Sequence, residues 1–337
     1  MGQPQLLRRG NRRTITQLLL LDGALTRPQL AERSGLSKVT VNAVVQELLD
    51  HRVAQLTRSA ALAPGRTPQL VTLHEQLGTI LALDLQQHVL QAALLPLRGP
   101  ALMIWNPTYR PDDITAHLLE VIEEVLRRAE GTLKHVLIGL PAPVDAQGCV
   151  REPNVTRHLD LQVLRSRLDH AGVSCTFEND ANLVALAVTD ANPDWTDVAV
   201  LIERPSGIGM GLFLGGQLYR GVHGRAGELG RAHWPGAEGV EHLEHLRGPE
   251  RLTATAFMLA GLIQALDLHH VVLGLSEGRA AELQRSLLPL LDESVTTSLL
   301  TDVDAWTLRG ATRLAQEQAQ SSLLERVEEL QEGRRVE

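Results

Sequence analysis

The stretch from residue 25 to residue 48 constrains this chain most, because it carries the end signals of two consecutive helices. Thr26 is suited to cap the first helix, Pro28 is tolerated in its first turn, and Gly35 ends it where a left-handed backbone is needed. Ser37 then caps a second helix with an apolar stripe at three- and four-residue steps. The residues of that stripe are Val41, Val44, Val45 and Leu48. This spacing predicts a helix-turn-helix.

Flanking segments complete the predicted module. A helix at 11–21 precedes the pair and supplies Ile15, Leu18 and Leu19 as a third wall of a small core. Two short β-like runs at 53–57 and 69–73 follow it, separated by a Gly-Arg-Thr-Pro turn. Together these segments predict a winged helix-turn-helix.

The outward face of the second helix is suited to reading a DNA major groove. Asn can pair with the edge of adenine, Lys can reach guanine or phosphate, and small apolar side chains can meet a thymine methyl group. Thr40 is expected to bond a phosphate, and two arginines lie near the wing tip. The candidate DNA-binding residues are Lys38, Val39, Thr40, Asn42, Ala43, Arg58 and Arg66.

Charge favours this interpretation over its plainest alternative, a three-helix bundle with no nucleic-acid partner. Residues 1–70 hold ten basic and four acidic side chains, a net charge of plus six, whereas the whole chain carries minus eight. The remainder therefore carries minus fourteen. Positive charge collected at one end of an acidic protein indicates a phosphate-facing surface, because neutralised phosphates release counterions.

Composition bounds the rest of the chain. No apolar run reaches the roughly twenty residues that span a bilayer, and the N-terminus has no apolar signal core, so we expect a cytoplasmic protein. Cys149 and Cys175 are the two cysteines, which argues against a disulfide framework. From residue 79 onward strands alternate with helices, and a second such set begins near residue 197, which predicts α/β lobes.

Five segments in this α/β part resemble the ROK family of bacterial sugar kinases and repressors. They are Gly-Leu-Pro-Ala-Pro-Val-Asp at 139–145, Glu-Pro-Asn at 152–154, Phe-Glu-Asn-Asp-Ala-Asn at 177–182, the glycine-rich run at 207–221, and Gly-Arg-Ala-Gly-Glu-Leu-Gly at 224–230. The N-terminal module is similar to that of the family's repressor branch. The resemblance implies an α/β fold with an N-terminal winged helix-turn-helix followed by a two-lobed, actin-like, sugar-kinase-like domain.

The resemblance also implies domain bounds and a sugar site in the cleft between the lobes. The expected parts are a DNA-binding domain at 1–75, a first lobe at 76–190, a reduced second lobe at 191–317 and a C-terminal amphipathic helix at 318–337. Asp180 matches the family's catalytic base, although Asn179 and Asp180 are also residues that commonly cap a helix. The candidate ligand-binding residues are Asn154, Asn179, Asp180, Glu228, Arg231 and Glu244.

Departures from the family motifs argue against catalysis and against a nucleotide cofactor. Where the family has a glycine-rich phosphate loop, this chain has Gln86 and Gln87, whose side chains occupy the space that a phosphate needs. The family's cysteine-rich zinc motif has no counterpart, so no metal is expected, although His233, His242 and His245 leave a zinc hypothesis open.

A last stripe lies near the C-terminus and consists of Leu323, Leu324, Val327 and Leu330. It can dock on the chain's own lobe or pair with a second subunit. A homodimer is expected in either case, because helix-turn-helix proteins usually read two half-sites.

The sequence thus predicts a DNA-binding transcriptional regulator, a repressor, with a kinase-like domain that dimerises and senses a sugar. A DNA-binding sugar kinase and a ligand-independent DNA-binding regulator are the alternatives.

Overall fold

The computed structural model describes residues 3–58, 68–108, 110–128, 133–150, 158–236 and 239–330. Within these ranges the chain forms an N-terminal module followed by two five-stranded β-sheets, a small two-stranded hairpin, and helices around and between the sheets.

The N-terminal module has the predicted winged helix-turn-helix form. Its elements are α1 (Gln3–Asp22), α2 (Arg27–Ser34), α3 (Lys38–Asp50), β1 (Ala54–Arg58) and β2 (Gln69–Leu73). The Thr26 hydroxyl accepts from the Gln29 amide in a reciprocal capping box, Gly35 ends α2 with φ +69°, and Ser37 caps α3. All four members of the α3 stripe are buried against Ile15, Leu19 and Leu30. The antiparallel strands β1 and β2 form the wing.

The first lobe is built on a five-stranded mixed sheet. Its elements are β3 (Thr79–Leu85), β4 (Leu90–Pro96), β5 (Met103–Trp105), α4 (Ile114–Arg128), β6 (Leu133–Leu140), α5 (Leu161–His170), β7 (Ser174–Asn179) and α6 (Asp180–Ala191). The strand order is β5-β4-β3-β6-β7, with β3, β6 and β7 parallel. Alternate side chains of β3 point to opposite faces, so Leu81 and Leu83 meet α4 and α5 while Ile80 and Ala82 join the core on the other face.

The second lobe repeats this plan. Its elements are β8 (Val198–Arg204), β9 (Gly207–Leu214), β10 (Gln217–Leu218), a small hairpin of β11 (His233–Gly236) and β12 (Gly239–His242), α7 (Gly248–Leu266), β13 (His270–Gly274), α8 (Glu277–Leu287) and β14 (Thr296–Leu299). The sheet order is β10-β9-β8-β13-β14. Ala199 and Leu201 of β8 belong to the core with α7 and α8, whereas Val198, Val200 and Ile202 belong to the core that contains α6.

A long final helix, α9 (Val303–Glu328), packs against α6, β3, β6 and α1. At about 1.5 Å per residue its 26 residues span roughly 39 Å. The helix predicted to start at 318 is therefore only the end of α9. The Asp302 carboxylate, which accepts from the Ala305 amide, marks the actual start. The earlier turns show no stripe of large apolar side chains because their buried positions include Thr307, Gly310, Ala311 and Ala315.

The C-terminal stripe packs against the chain itself, which is one of the two alternatives left open by the sequence. Leu323, Leu324 and Val327 are buried in the core that also contains the N-terminal helices, and Leu330 packs against that core. Two arginines of α1 reinforce this contact. Arg12 donates to the Leu330 and Glu328 carbonyl oxygens at 2.7 and 3.1 Å, and Arg13 pairs with the Glu328 carboxylate at 2.5 Å.

The other end of α1 is bound to the first lobe. Arg98, in the turn after β4, donates to the carbonyl oxygens of Leu20 and Leu21 at 2.8 and 3.2 Å. The N-terminal module is therefore held at two points, and it belongs to one packed body with the first lobe and α9. No helix in the described ranges is long and apolar enough to cross a membrane.

The crossing of α6 and α9 provides a stability test. Gly310 of α9 lies so close to α6 that a Cβ there would overlap the Leu183 carbonyl oxygen. Gly310→Ala is expected to lower the free energy of unfolding by about 2 kcal/mol or more, because packed helices must separate. The matched change Gly261→Ala, in α7 where a Cβ meets no atom within 4 Å, is expected to stabilise by up to about 1 kcal/mol.

Thermal and urea unfolding of both variants would check the prediction. Equal effects of the two substitutions would contradict the close helix crossing.

Candidate functional site

The outward face of α3 is exposed as the sequence predicted. Lys38, Val39, Asn42 and Ala43 are all exposed, and Val39 retains 80% of its accessible surface. A large apolar side chain this exposed at the start of a helix is available for contact with a methyl group on another molecule. Thr40 is half-buried, and its hydroxyl lies 2.8 Å from the hydroxyl of Ser37.

Arg27 contacts this face, and no local sequence pattern indicated that it would. Its guanidinium donates to the Asn42 side-chain oxygen at 3.0 Å. The side-chain oxygen of Asn42 therefore already accepts a hydrogen bond, and the amide NH₂ group is the part of Asn42 that can donate to a partner molecule. A bidentate contact with adenine uses both amide atoms. Arg27 must therefore release Asn42 before that contact can form.

Several basic residues counted toward the cationic N-terminus have internal partners. Arg12 is only 8% exposed and binds the end of α9, Arg13 pairs with Glu328, and Arg33 pairs with Asp22 at 2.7 Å. Arg58 is exposed at the end of β1, where the wing begins to turn, while Arg66 lies outside the described residues. The surface that can meet phosphates is thus narrower than the charge count alone implied.

The second candidate site is the cleft between the lobes, where the carboxyl ends of β6 and β7 face the turn between β8 and β9. A cavity of about 210 Å³ lies there. It brings together five of the six predicted ligand residues, namely Asn179, Asp180, Glu228, Arg231 and Glu244. The sixth, Asn154, lies outside the described residues.

Asn179 both caps a helix and lines the cavity. Its side-chain oxygen accepts from the Asn182 amide at 3.2 Å, and its side-chain nitrogen donates to the Ala142 carbonyl at 3.1 Å. Glu228 lies 3.3 Å from the Arg231 guanidinium on the other wall. Carboxylates, amides and guanidinium groups around a small cavity are donors and acceptors for the hydroxyls of a polyol.

Arg204 dominates the inner wall of the cleft and was missed by the sequence analysis. Its side chain is only 7% exposed, and it donates to the Thr307 hydroxyl at 2.6 Å and to the Asp304 carboxylate. The same guanidinium lies 3.4 Å from a carboxylate oxygen of Asp180 and 3.7 Å from one of Asp84. One arginine of the second lobe therefore contacts the first lobe and the start of α9.

Gln86 fills the position that a phosphate loop would need. It is 6% exposed, and its side-chain nitrogen donates to Asp84 at 2.7 Å and to Asp180 at 3.3 Å. Gln87 lines a second cavity of about 360 Å³ on the far side of Arg204. Because Arg204 lines both cavities and Gln86 donates to Asp180, these residues do not fit a nucleotide whose terminal phosphate must reach Asp180.

Burial changes the pKa values of Asp84 and Asp180, the two aspartates beside Arg204 and Gln86. It raises the pKa of Asp84 to about 7 against the opposing effect of Arg204, and it raises the pKa of Asp180 in the same way. Asp180 also accepts from its neighbour's amide, Ala181, at 2.9 Å. The carboxyl group that would serve as a base is thus occupied by internal donors.

A second ion pair joins the lobes. Arg220, after β10, contacts one oxygen of the buried Glu178 carboxylate at 2.9 and 2.5 Å through two nitrogens. The other oxygen accepts from Asn182 and from the Asn179 amide. This satisfied arrangement is a structural contact between lobes, and no local sequence pattern indicated it.

The histidines of the zinc hypothesis lie together, but they do not form a metal site in the described part of the chain. The rings of His233 and His242 are 4.4 Å apart, and His242 lies 2.7 Å from the Arg231 carbonyl. Within the described ranges, no group of three or more His, Cys, Asp or Glu residues has the arrangement of a metal site.

Several known proteins are similar to this chain in sequence. Residues 81–240 match the model of the ROK family. The putative xylose repressor of Caldicellulosiruptor sp. (strain Rt8B.4) is 26% identical over 243 residues, which cover 68% of this chain and 60% of that protein. The xylose repressor of Bacillus subtilis (strain 168) is 24% identical over 233 residues, covering 65% and 59%. The matched region spans about 60% of the length of these relatives.

Solved structures show the shared fold. A ROK family transcriptional regulator, described as a homologue of the E. coli MLC protein, matches with a TM-score of 0.63 at 19% identity and covers 96% of this chain and 99% of its own. The ROK hexokinase from Thermus thermophilus matches with a TM-score of 0.58 at 23% identity, covering 72% and 99%. The fold shared with the regulator therefore covers more of this chain than the fold shared with the hexokinase.

The buried Asp84 gives a test with a defined sign. Its folded pKa of about 7 exceeds the reference value of 3.8, so its stabilising contribution is complete below the lower value and is lost as the pH rises through the upper one. Asp84→Asn is expected to raise the Tm at pH 8 and to have little effect at pH 4.

Thermal melts across this pH range would measure the effect. Asp197→Asn is the matched control of opposite sign, because the Gly215 N–H bond lowers the pKa of Asp197. A benefit of Asp84→Asn that did not depend on pH would contradict the assignment.

Proposed function

We propose that this chain, whose residues 81–240 match the model of the ROK family, is a sequence-specific DNA-binding transcriptional repressor whose sugar-kinase-like domain is catalytically inactive. The observation that carries the proposal is the exposed face of α3, which is capped by Ser37 and lies next to a two-stranded wing. The similarity to xylose repressors, and the fold shared with a ROK regulator over 96% of the chain, support it.

In this proposal α3 enters the major groove. Lys38 and Asn42 meet base edges, Val39 and Ala43 meet thymine methyl groups, and Arg58 at the wing contacts phosphate. Arg27 holds Asn42 in place until a base competes for its oxygen. Two copies of the chain read two half-sites, so the acting species is a homodimer or a larger homo-oligomer.

The cleft serves as a sensor in this proposal. Phosphoryl transfer depends on a positioned triphosphate and on stabilised charge, whereas here Gln86 and Arg204 occupy the position next to Asp180. A cavity of about 210 Å³ is smaller than the roughly 300–1,000 Å³ of usual ligand pockets. A single small polyol is therefore the fitting class of effector, and xylose, named for the relatives, is the first candidate.

The DNA-reading face can be tested by two substitutions with different expected signatures. Asn42→Ala is expected to lower the preference for the cognate site about ten-fold over random duplex, because a base contact is lost. Arg58→Ala is expected to weaken binding to all duplexes and to reduce the slope of log affinity against log salt by about one unit.

Fragments selected from the host's genomic DNA would supply the cognate site, and titrations at several salt concentrations would supply the slopes. If both variants lost the same affinity on cognate and random DNA, the assignment of the reading face would be wrong.

The kinase alternative rests on Asp180, which lies in the cleft at the start of α6. We expect no ADP release above background with xylose or common hexoses in a coupled assay. Turnover that disappeared in Asp180→Ala but persisted in Asp190→Ala, an exposed position on the same helix with ion pairs to α9, would overturn the proposal of inactivity.

A further inference from the structure

We infer that Arg204 is an interlobe latch: it holds the second lobe against the body that carries the DNA-binding helices, and a ligand must rearrange it to change their placement. The inference rests on the proposed function, because it assigns the route by which the cleft would control DNA binding. Arg204 is a positioning residue in this role and not a catalytic one.

The contacts of Arg204 cross the molecule's main division. The residue is the last of β8 in the second lobe, but its partners Asp84 and Asp180 belong to the first lobe. Asp304 and Thr307, which accept its hydrogen bonds, lie in the first turns of α9. Removing such partners from a buried guanidinium costs several kcal/mol of stability. The contacts of Arg204 therefore oppose separation of the two lobes.

The body on the other side of the latch includes the DNA-binding module. Along α9, Gln316 and Gln320 donate to the carbonyl oxygens of Pro96 and Leu97 in the first lobe. At the far end Arg12 of α1 binds the last turn of α9, and the same side chain lies 3.8 Å from Glu47 of α3. Because α3 belongs to this body, a movement of the second lobe relative to the body also changes the position of α3 relative to the second lobe.

The latch contains an unsatisfied pair that points to its rearrangement. Among the described residues, Arg204 Nε and one carboxylate oxygen of Asp84 are buried and make no hydrogen bond. Each has only an ion-pair contact, Arg204 Nε at 3.4 Å from Asp180 and the Asp84 oxygen at 3.7 Å from another Arg204 nitrogen. Buried polar atoms without hydrogen bonds are uncommon and costly. A ligand hydroxyl entering from the cavity could accept from Arg204 Nε and donate to Asp84. That hydroxyl would satisfy both groups and draw Arg204 toward the cleft, away from α9.

Substitutions on α9 test the latch without altering the cleft carboxylates. Asp304→Ala combined with Thr307→Val removes both hydrogen bonds from Arg204 to α9. Asp190→Ala is the matched control, because it removes the ion pairs of Arg309 and Arg313 within the body without crossing between lobes. The single change Thr307→Val is nearly isosteric and removes the 2.6 Å bond from Arg204 together with the 2.8 Å bond from the Thr307 hydroxyl to the Val303 carbonyl. It serves if the double variant does not fold.

The primary measurement is the distance between spin labels at Glu120 on α4 and Glu282 on α8, with Cys149 and Cys175 replaced by serine. Both label positions are exposed. The parent and Asp190→Ala are expected to give one narrow distribution, whereas the latch variants gain a second population at a different distance. An unchanged distribution in a latch variant that still unfolds cooperatively would overturn the inference.

Binding to the selected genomic fragment is the second measurement. The latch variants are expected to change affinity at least about five-fold at an unchanged salt slope, because the phosphate contacts are intact. Shifted distances with no DNA binding by the parent would retain the latch and refute the proposed function. DNA binding by the parent with unchanged distances in the variants would do the reverse.

Discussion

The arrangement of one guanidinium among three carboxylates organises the centre of this molecule. Arg204 contacts Asp84 and Asp180, which are almost fully removed from water, and the partly exposed Asp304. Burial raises the pKa of Asp84 and of Asp180. An isolated charge in such a place would be very unfavourable. The ion pairs fix the position of one lobe relative to the other. The same side chains fill the space where a nucleotide and a sugar would have to meet.

Helix α9 connects this central group of charged residues to the N-terminal module. Its first turns accept from Arg204, its middle packs on α6 and β3, and its last turn is bound by Arg12 of α1. A single regular element thus lies between the cleft and the winged module over roughly 39 Å. Helices transmit displacement well because their backbone hydrogen bonds resist bending. The same chain segment therefore serves stability and communication in the proposed regulator.

Local signals in the sequence were sufficient for the winged module. Thr26, Gly35 and Ser37 end or start helices through contacts within a few residues, so their roles can be recognised without tertiary information. Arg204 and Arg220 could not be recognised in this way, because each pairs with carboxylates far away in sequence. For the same reason, Arg12 was counted in the positive charge of residues 1–70, although its partners lie at the end of α9. In the cleft, the segments that resemble ROK motifs identified the cavity wall, but not the arginine that closes its inner side.

The contact of Arg12 with Glu328 and Leu330 joins two segments that lie more than 300 residues apart in the chain. The winged module leaves the ribosome early, yet its anchoring surface is complete only when residues 328–330 have been made. A nascent chain therefore carries the helix-turn-helix pair before the segment that anchors α1 has been made. If the cleft controls this module as proposed, a polypeptide that ends before α9 is complete would not respond to an effector.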